Sequence, residues 1–126
     1  MLGEGEASMA KVLVVDDAKF MRVTLTNMLK QGNHEVIGEA ENGRQATELY
    51  RSLKPDVVTM DITMPEMNGI EAVKQIIGEF PDAKIIICSS MGQQQMVLSA
   101  IEAGAKDYIV KPFDESRVNN AISRIL

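Results

Sequence analysis

Short continuous apolar runs alternate along the chain with longer segments whose apolar positions recur every three or four residues. The first kind suits strands covered on both faces, the second helices with one buried stripe. KVLVV at 11–15 is the first such strand, and after it Ala18, Met21, Leu25, Met28 and Leu29 keep helical spacing until Gly32. EVIGEA at 35–40 is a second strand, and Asn42-Gly43 turns into a helix with Ala46, Leu49, Tyr50 and Leu53 inward, stopped by Pro55. DVVTM at 56–60 delivers Asp61 at its carboxyl end. The loop ITMPEMN follows, and Gly69 opens a helix with Ile70, Val73, Ile76, Ile77 and Phe80 inward, closed by Pro81. KIIIC at 84–88 runs into Ser89-Ser90 and a helix with Val97, Ala100 and Ile101 inward, ending at Gly104. DYIV at 107–110 precedes Lys111-Pro112 and a last helix with Val118, Ala121, Ile122 and Ile125 on its core face.

Five strands alternating with five helices predict an α/β fold, a doubly wound five-stranded parallel sheet of flavodoxin-like order 2-1-3-4-5. In such sheets ligands bind beyond the carboxyl ends of the strands where the order reverses, here between strands one and three. Asp16, Asp17 and Asp61 all fall there, although nothing in the apolar pattern requires acids at those ends.

A length of 126 residues allows one domain with its own core. We assign residues 9–126 to it and expect residues 1–8 to be a mobile tail, a cloning remnant or an alternative start ahead of Met9. Thirteen basic against eighteen acidic residues leave a net charge of −5, so no nucleic-acid footprint is expected. The lone Cys88 lies in an apolar strand and reads as inert packing. No apolar run is long enough to span a membrane, and MLGEGEAS lacks the features of a secretory signal. The expected setting is the cytoplasm. His34, in the polar turn QGNHE, reads as a surface histidine. Of nine methionines, Met21 and Met28 fall on core positions, while the loop residues Met64 and Met67 either shield the pocket or anchor the loop.

Three converged carboxylates repel unless a cation joins them. Mg²⁺ takes oxygen ligands and is commonly held by one or two carboxylates together with phosphate. Asp17 and Asp61 suit direct ligation, Asp16 a role through water, and the backbone carbonyl of Thr63 a neutral ligand. Asp16-Asp17 as a mere helix cap is the plainer reading, but it leaves Asp61 unexplained. A carboxylate can attack phosphorus to give an acyl phosphate, and phosphoryl transfer then asks for a cation and a hydroxyl near the incoming oxygens. Lys111 and Ser89 end neighbouring strands at the same edge.

VDD at 15–17, MDITMPEMNG at 60–69, CSS at 88–90 and KPF at 111–113 resemble the receiver domains of two-component response regulators, in register over residues 10–126. DDAKFMR, MDITMPEMNG and MGQQ are most similar to the chemotaxis subset, the CheY type. The resemblance implies that Asp61 accepts a phosphoryl group from a sensor kinase phosphohistidine, with Mg²⁺ or, in its place, Mn²⁺. It also implies that Asp16 and Asp17 are the acidic pair, Ser89 the switch hydroxyl, Lys111 the phosphate-binding lysine, Tyr108 the switch aromatic and Lys111-Pro112 a cis peptide. The implied output surface is helix four, strand five and helix five, exposing Gln94, Gln95, Tyr108, Asn119 and Ser123. With no output domain after residue 126, the expected signal is reversible binding by a monomer, with a flagellar motor switch protein as the implied target. Gln93, Gln94 and Gln95 replace a basic cluster at the start of helix four. Thr63 and Met91 flank the acceptor, and an apolar Met91 cannot orient an attacking water, so slow self-dephosphorylation and a separate phosphatase are expected.

Three rival readings remain at this point. A haloacid dehalogenase-type phosphatase also phosphorylates a strand-end Asp but wants a second acid where this chain has Thr63, and usually a cap domain. A flavodoxin-like FMN carrier needs a glycine-rich phosphate cradle where Asp16-Asp17 would repel the phosphate. A single-domain regulator of another relay, such as sporulation, is the third.

Overall fold

The computed structural model describes residues 9–126. The expectations for residues 1–8 lie outside the described residues. Five parallel strands, β1 (Lys11–Val15), β2 (Glu35–Ala40), β3 (Val57–Asp61), β4 (Ile85–Ser89) and β5 (Asp107–Val110), form one sheet in the order β2-β1-β3-β4-β5. Five helices connect or follow them: α1 (Lys19–Gln31), α2 (Gly43–Leu53), α3 (Gly69–Glu79), α4 (Gln94–Ala103) and α5 (Glu115–Ile125). The doubly wound order read from the sequence is the observed one.

Because side chains alternate across a strand, the central strands feed two separate cores. Leu13, Val15, Val58, Met60, Ile85 and Ile87 point to one face, where Ala46 and Tyr50 of α2, Ala72, Val73 and Ile76 of α3, and Ala100 of α4 cover them. Val12, Val14, Val57, Ile86, Cys88 and Ile109 point to the other, under Leu25 and Leu29 of α1 and Val118, Ala121 and Ile122 of α5. This two-sided burial is why the strands read as unbroken apolar runs.

The structure corrects several local expectations. β3 and β4 each begin and end one residue later than the apolar runs suggested, so Asp61 and Ser89 are the last residues of their strands. Asp56 falls outside β3 because its carboxylate accepts from the Lys11 backbone N–H at 2.8 Å, which fixes the start of β1. His34 is buried, not superficial: its Nδ1 accepts from the Ala10 N–H at 3.0 Å, and burial holds its pKa below the ordinary value. Leu53 and Ile101, expected inward, are exposed at the ends of their helices. Met64 is buried in the core beside α3 and Met67 packs against it, so both anchor their loop. Cys88 is buried, and burial pushes its thiol up to about 12, which agrees with inert packing.

Candidate functional site

The carboxyl ends of β1 and β3 bring Asp16, Asp17 and Asp61 together, with one oxygen from each within 4.8 Å of the others. The three are not equivalent. Asp16 is buried at 1 % exposure, Asp61 at 8 %, and Asp17 faces solvent. Asp16 is locked from several sides: its N–H donates to the Ala40 carbonyl at 3.0 Å, its Oδ1 accepts from the Ala18 N–H at 2.9 Å, and its Oδ2 accepts from Lys111 Nζ at 3.0 Å. The first turn of α1 has Ala18 as its N-cap and no side-chain cap, so the reading of Asp17 as a helix cap fails. Asp16 spends one oxygen on the N–H of the N-cap residue Ala18 and keeps the other for Lys111.

Asp61 is mounted by the backbone that follows it. Its Oδ1 accepts from the Ile62 N–H at 2.9 Å, and the Ile62 carbonyl accepts from the Gly69 N–H at 2.8 Å. Gly69 sits so close to the Asp61 carbonyl that a Cβ there would collide with backbone, which is the physical requirement for glycine at the start of α3. Lys111 Nζ lies 3.4 Å from Asp61 Oδ1 and so bridges the two buried acids. Burial pushes the Asp61 carboxyl up to about 6; Lys111 pulls against this and Asp16 adds to it. The ammonium of Lys111 is opposed by its own burial, but its bond to Asp16 and the charges of Asp61 and Asp16 outweigh that and raise its pKa. A buried carboxylate paired with only half of a shared lysine is underneutralised. That donor set, three carboxylates with their oxygens close together, fits a hard divalent cation such as Mg²⁺.

Ser89 and Lys111 meet across the next two strands, where the Lys111 N–H donates to the Ser89 carbonyl at 2.7 Å. The Ser89 hydroxyl is buried and turned toward the Ile109 carbonyl, 3.5 Å away, at the outer limit of a hydrogen bond. The Lys111-Pro112 peptide is cis. Tyr108 is 42 % exposed and Met91 is 81 % exposed. With Val97, Leu98, Ile101 and Val110 they line a groove of about 470 Å³ between α4 and β5. Gln94, on the groove, and Gln95 and Ser123 are exposed. Asn119 is not: its Nδ2 donates to the Met28 carbonyl at 3.1 Å and its amide packs on Gly32, so it joins α5 to α1.

Two contacts that the residue pattern did not announce shape the site, one made by Arg22 and one by Gln93, which was expected only to face a partner. Arg22 is buried, donating from Nη1 to the Asp16 carbonyl and from Nε to Glu39, each at 2.8 Å. Its spacing from Leu25 and Leu29, three and seven residues, put a charge on the buried stripe of α1 and was the available signal. Gln93 links two loops, accepting from the Ser90 N–H at 2.6 Å and donating to Thr63 Oγ1 at 3.1 Å. Nothing in local spacing announces a contact across 30 residues.

Residues 12–123 match the family model described as the response regulator receiver domain. The chain belongs to this family. Among relatives of the receiver is the chemotaxis protein CheY of Thermotoga maritima, 61 % identical over 115 residues, covering 91 % of this chain and 96 % of that protein. A Bacillus subtilis protein named CcdB is 55 % identical over 118 residues, covering 94 % and 98 % respectively. Among solved structures, a CheX–CheY–BeF3–Mg complex from Borrelia burgdorferi superposes with a TM-score of 0.87 at 34 % identity, covering 91 % of this chain and 87 % of that one. The family match and the relatives place the chain among receivers and not with dehalogenases or FMN carriers, although flavodoxins share the sheet order. No helix among the described residues is long and apolar enough to cross a membrane.

Proposed function

We propose that this receiver is a stand-alone response regulator whose Asp61 takes a phosphoryl group from the phosphohistidine of a chemotaxis-type sensor kinase. An Asp61 oxygen attacks phosphorus in line, the P–N bond breaks, and the imidazole leaves with its electron pair as the acyl phosphate forms. The observation that carries this reading is a buried Asp61, raised to about 6, facing Asp16, Asp17 and Lys111 at one strand edge. Asp17 and Asp61, the Thr63 carbonyl and, through water, Asp16 would hold Mg²⁺, or Mn²⁺ in its place. When bound, the ion supplies charge neutralisation for the phosphoryl oxygens. Lys111 stands between Asp16 and Asp61 and provides the cation for one incoming oxygen.

The switch follows from the new dianion. Ser89 leaves the Ile109 carbonyl to donate to a phosphoryl oxygen, its loop moves, and Tyr108 turns inward. The groove between α4 and β5 is thereby reshaped for a partner, and we assign that partner to the flagellar motor switch, supported by the CheY relatives. The protein works in the cytoplasm as a monomer and catalyses only its own phosphorylation and a slow dephosphorylation. A separate phosphatase resets it. A second reading, a single-domain regulator of another relay such as sporulation, is supported by a relative of similar coverage that does not carry the chemotaxis name. Incubation with acetyl phosphate and Mg²⁺, followed by intact mass, tests the chemistry. One phosphoryl group is expected on wild type and none on Asp61→Asn. Binding to motor switch peptides with and without phosphorylation separates the two outputs.

A further inference from the structure

Ser90 through Gln93 form a turn closed on itself. The Ser90 N–H donates to Gln93 Oε1 at 2.6 Å and the Gln93 N–H donates to the Ser90 carbonyl at 3.3 Å. Between them Met91 and Gly92 are exposed, and Gly92 has a φ of 90° with open space around it, so nothing packs the tip of this turn in place. The other amide atom of Gln93, Nε2, reaches across to Thr63 Oγ1 at 3.1 Å. Among the described residues this is the side-chain hydrogen bond that joins the loop after β4 to the loop after β3. One end of the bridge thus stands next to Ser89, and the other stands two residues after Asp61.

We propose that Gln93 is a positioning residue, a latch whose two hydrogen bonds hold the loop after β4 in its resting place and oppose the movement of Ser89 toward a phosphoryl group on Asp61. This rests on the phosphoacceptor reading. The Ser89 hydroxyl faces the Ile109 carbonyl and must leave it to reach Asp61. Ser90 is covalently next and moves with it, which pulls on Gln93 and, through it, on Thr63. A glutamine is suited to this task because one planar group carries both an acceptor and a donor. A single neutral hydrogen bond at a partly exposed site is worth only a modest factor in a conformational equilibrium, which suits a restraint that phosphorylation must overcome.

The test is a double-mutant cycle read with beryllofluoride and Mg²⁺, which mimic the phosphoryl group and do not hydrolyse. Thr63→Val removes the hydroxyl at nearly constant shape, and Gln93→Leu removes the bridge from the other end. Binding is followed by amide NMR, where the Ser90 resonance reports the latch itself and the remaining resonances report the fold. Thr63→Val is expected to bind the mimic about threefold more tightly than wild type, and Gln93→Leu, which removes both bonds, at least as tightly as Thr63→Val. The double variant should bind no more tightly than Gln93→Leu alone, which already loses both latch bonds, whereas Thr63→Val loses only the one between the loops. Unchanged or weaker binding in the singles, or effects that multiply in the double variant, would overturn the latch. Failure of wild type itself to bind the mimic would instead overturn the phosphoacceptor reading beneath it.

Discussion

α3 and α4 each follow a strand that ends in a site residue, Asp61 for one and Ser89 for the other, yet they are held very differently. α3 begins with a capping box in which the Asn68 side chain accepts from the Glu71 N–H and Glu71 reaches back to the Asn68 N–H. It buries Gly69, Ala72, Val73 and Ile76. α4 has no side-chain cap, because Gln93 is engaged with Ser90 and Thr63, and it buries only Ala100. Leu98 and Ile101 lie open on the groove. A group that must be approached in line needs a fixed mount, whereas a surface that must change needs a helix with little to lose by moving. Under the proposed function, the firmly held α3 would serve as the acceptor's mount and the lightly held α4 as the reporter, the surface that changes.

The largest expected effect compares truncations in the two helices. Ile76→Ala should cost about 3 kcal/mol in urea unfolding, since it opens a cavity in a fully buried layer. Leu98→Ala, at a half-exposed site, should change stability by less than about 0.5 kcal/mol. Equal costs would break the comparison.

Next in size is the charge that the mount carries. An aspartate with its folded pKa raised to about 6 binds more protons folded than unfolded between about pH 4 and 6. Its ionisation therefore destabilises the protein as pH rises through that window. Without Mg²⁺, Asp61→Asn should stabilise the protein on the order of 2 kcal/mol at pH 7 and hardly at all at pH 4, by urea unfolding at each pH. Adding Mg²⁺ should stabilise wild type more than the variant. His34, at the opposite end of β1, has the reverse sign: its lowered pKa withdraws stability as pH falls below about 6.5.

These effects also mark what could be read in the residue pattern. The layered fold was legible because strands covered on both sides leave continuous apolar runs and because Pro55, Pro81 and Gly104 punctuate the helices. The convergence of Asp16, Asp17 and Asp61 followed from strand order alone. His34, Asn119 and Gln93 were not legible in the same way. Each makes a hydrogen bond to a partner far off in the chain, Ala10, Met28 or Thr63, and a polar residue in a polar stretch gives no periodic signal of such a bond. Ile101 misled for the opposite reason: its helical spacing was right, but the wall it would pack against is the open groove.

Smaller effects probe the caps and the rim. Asn68→Ala should cost about 1 kcal/mol in unfolding free energy and leave the α4 amides unaffected. Met91, apolar and exposed, offers nothing to orient a water, so the phosphoprotein should decay slowly when followed by intact mass. Met91→Glu should accelerate that decay with no change in stability. Fast decay of the unaltered protein would contradict this role for the rim.

The most direct measurement of the division between mount and reporter is amide hydrogen exchange on the full chain, with Mg²⁺ alone and with Mg²⁺ plus acetyl phosphate. The expected result is slow, unchanged exchange along residues 69–79 and altered exchange confined to residues 89–103 and 107–110. Equal changes in both helices, or none in α4 once Asp61 carries its phosphoryl group, would contradict it.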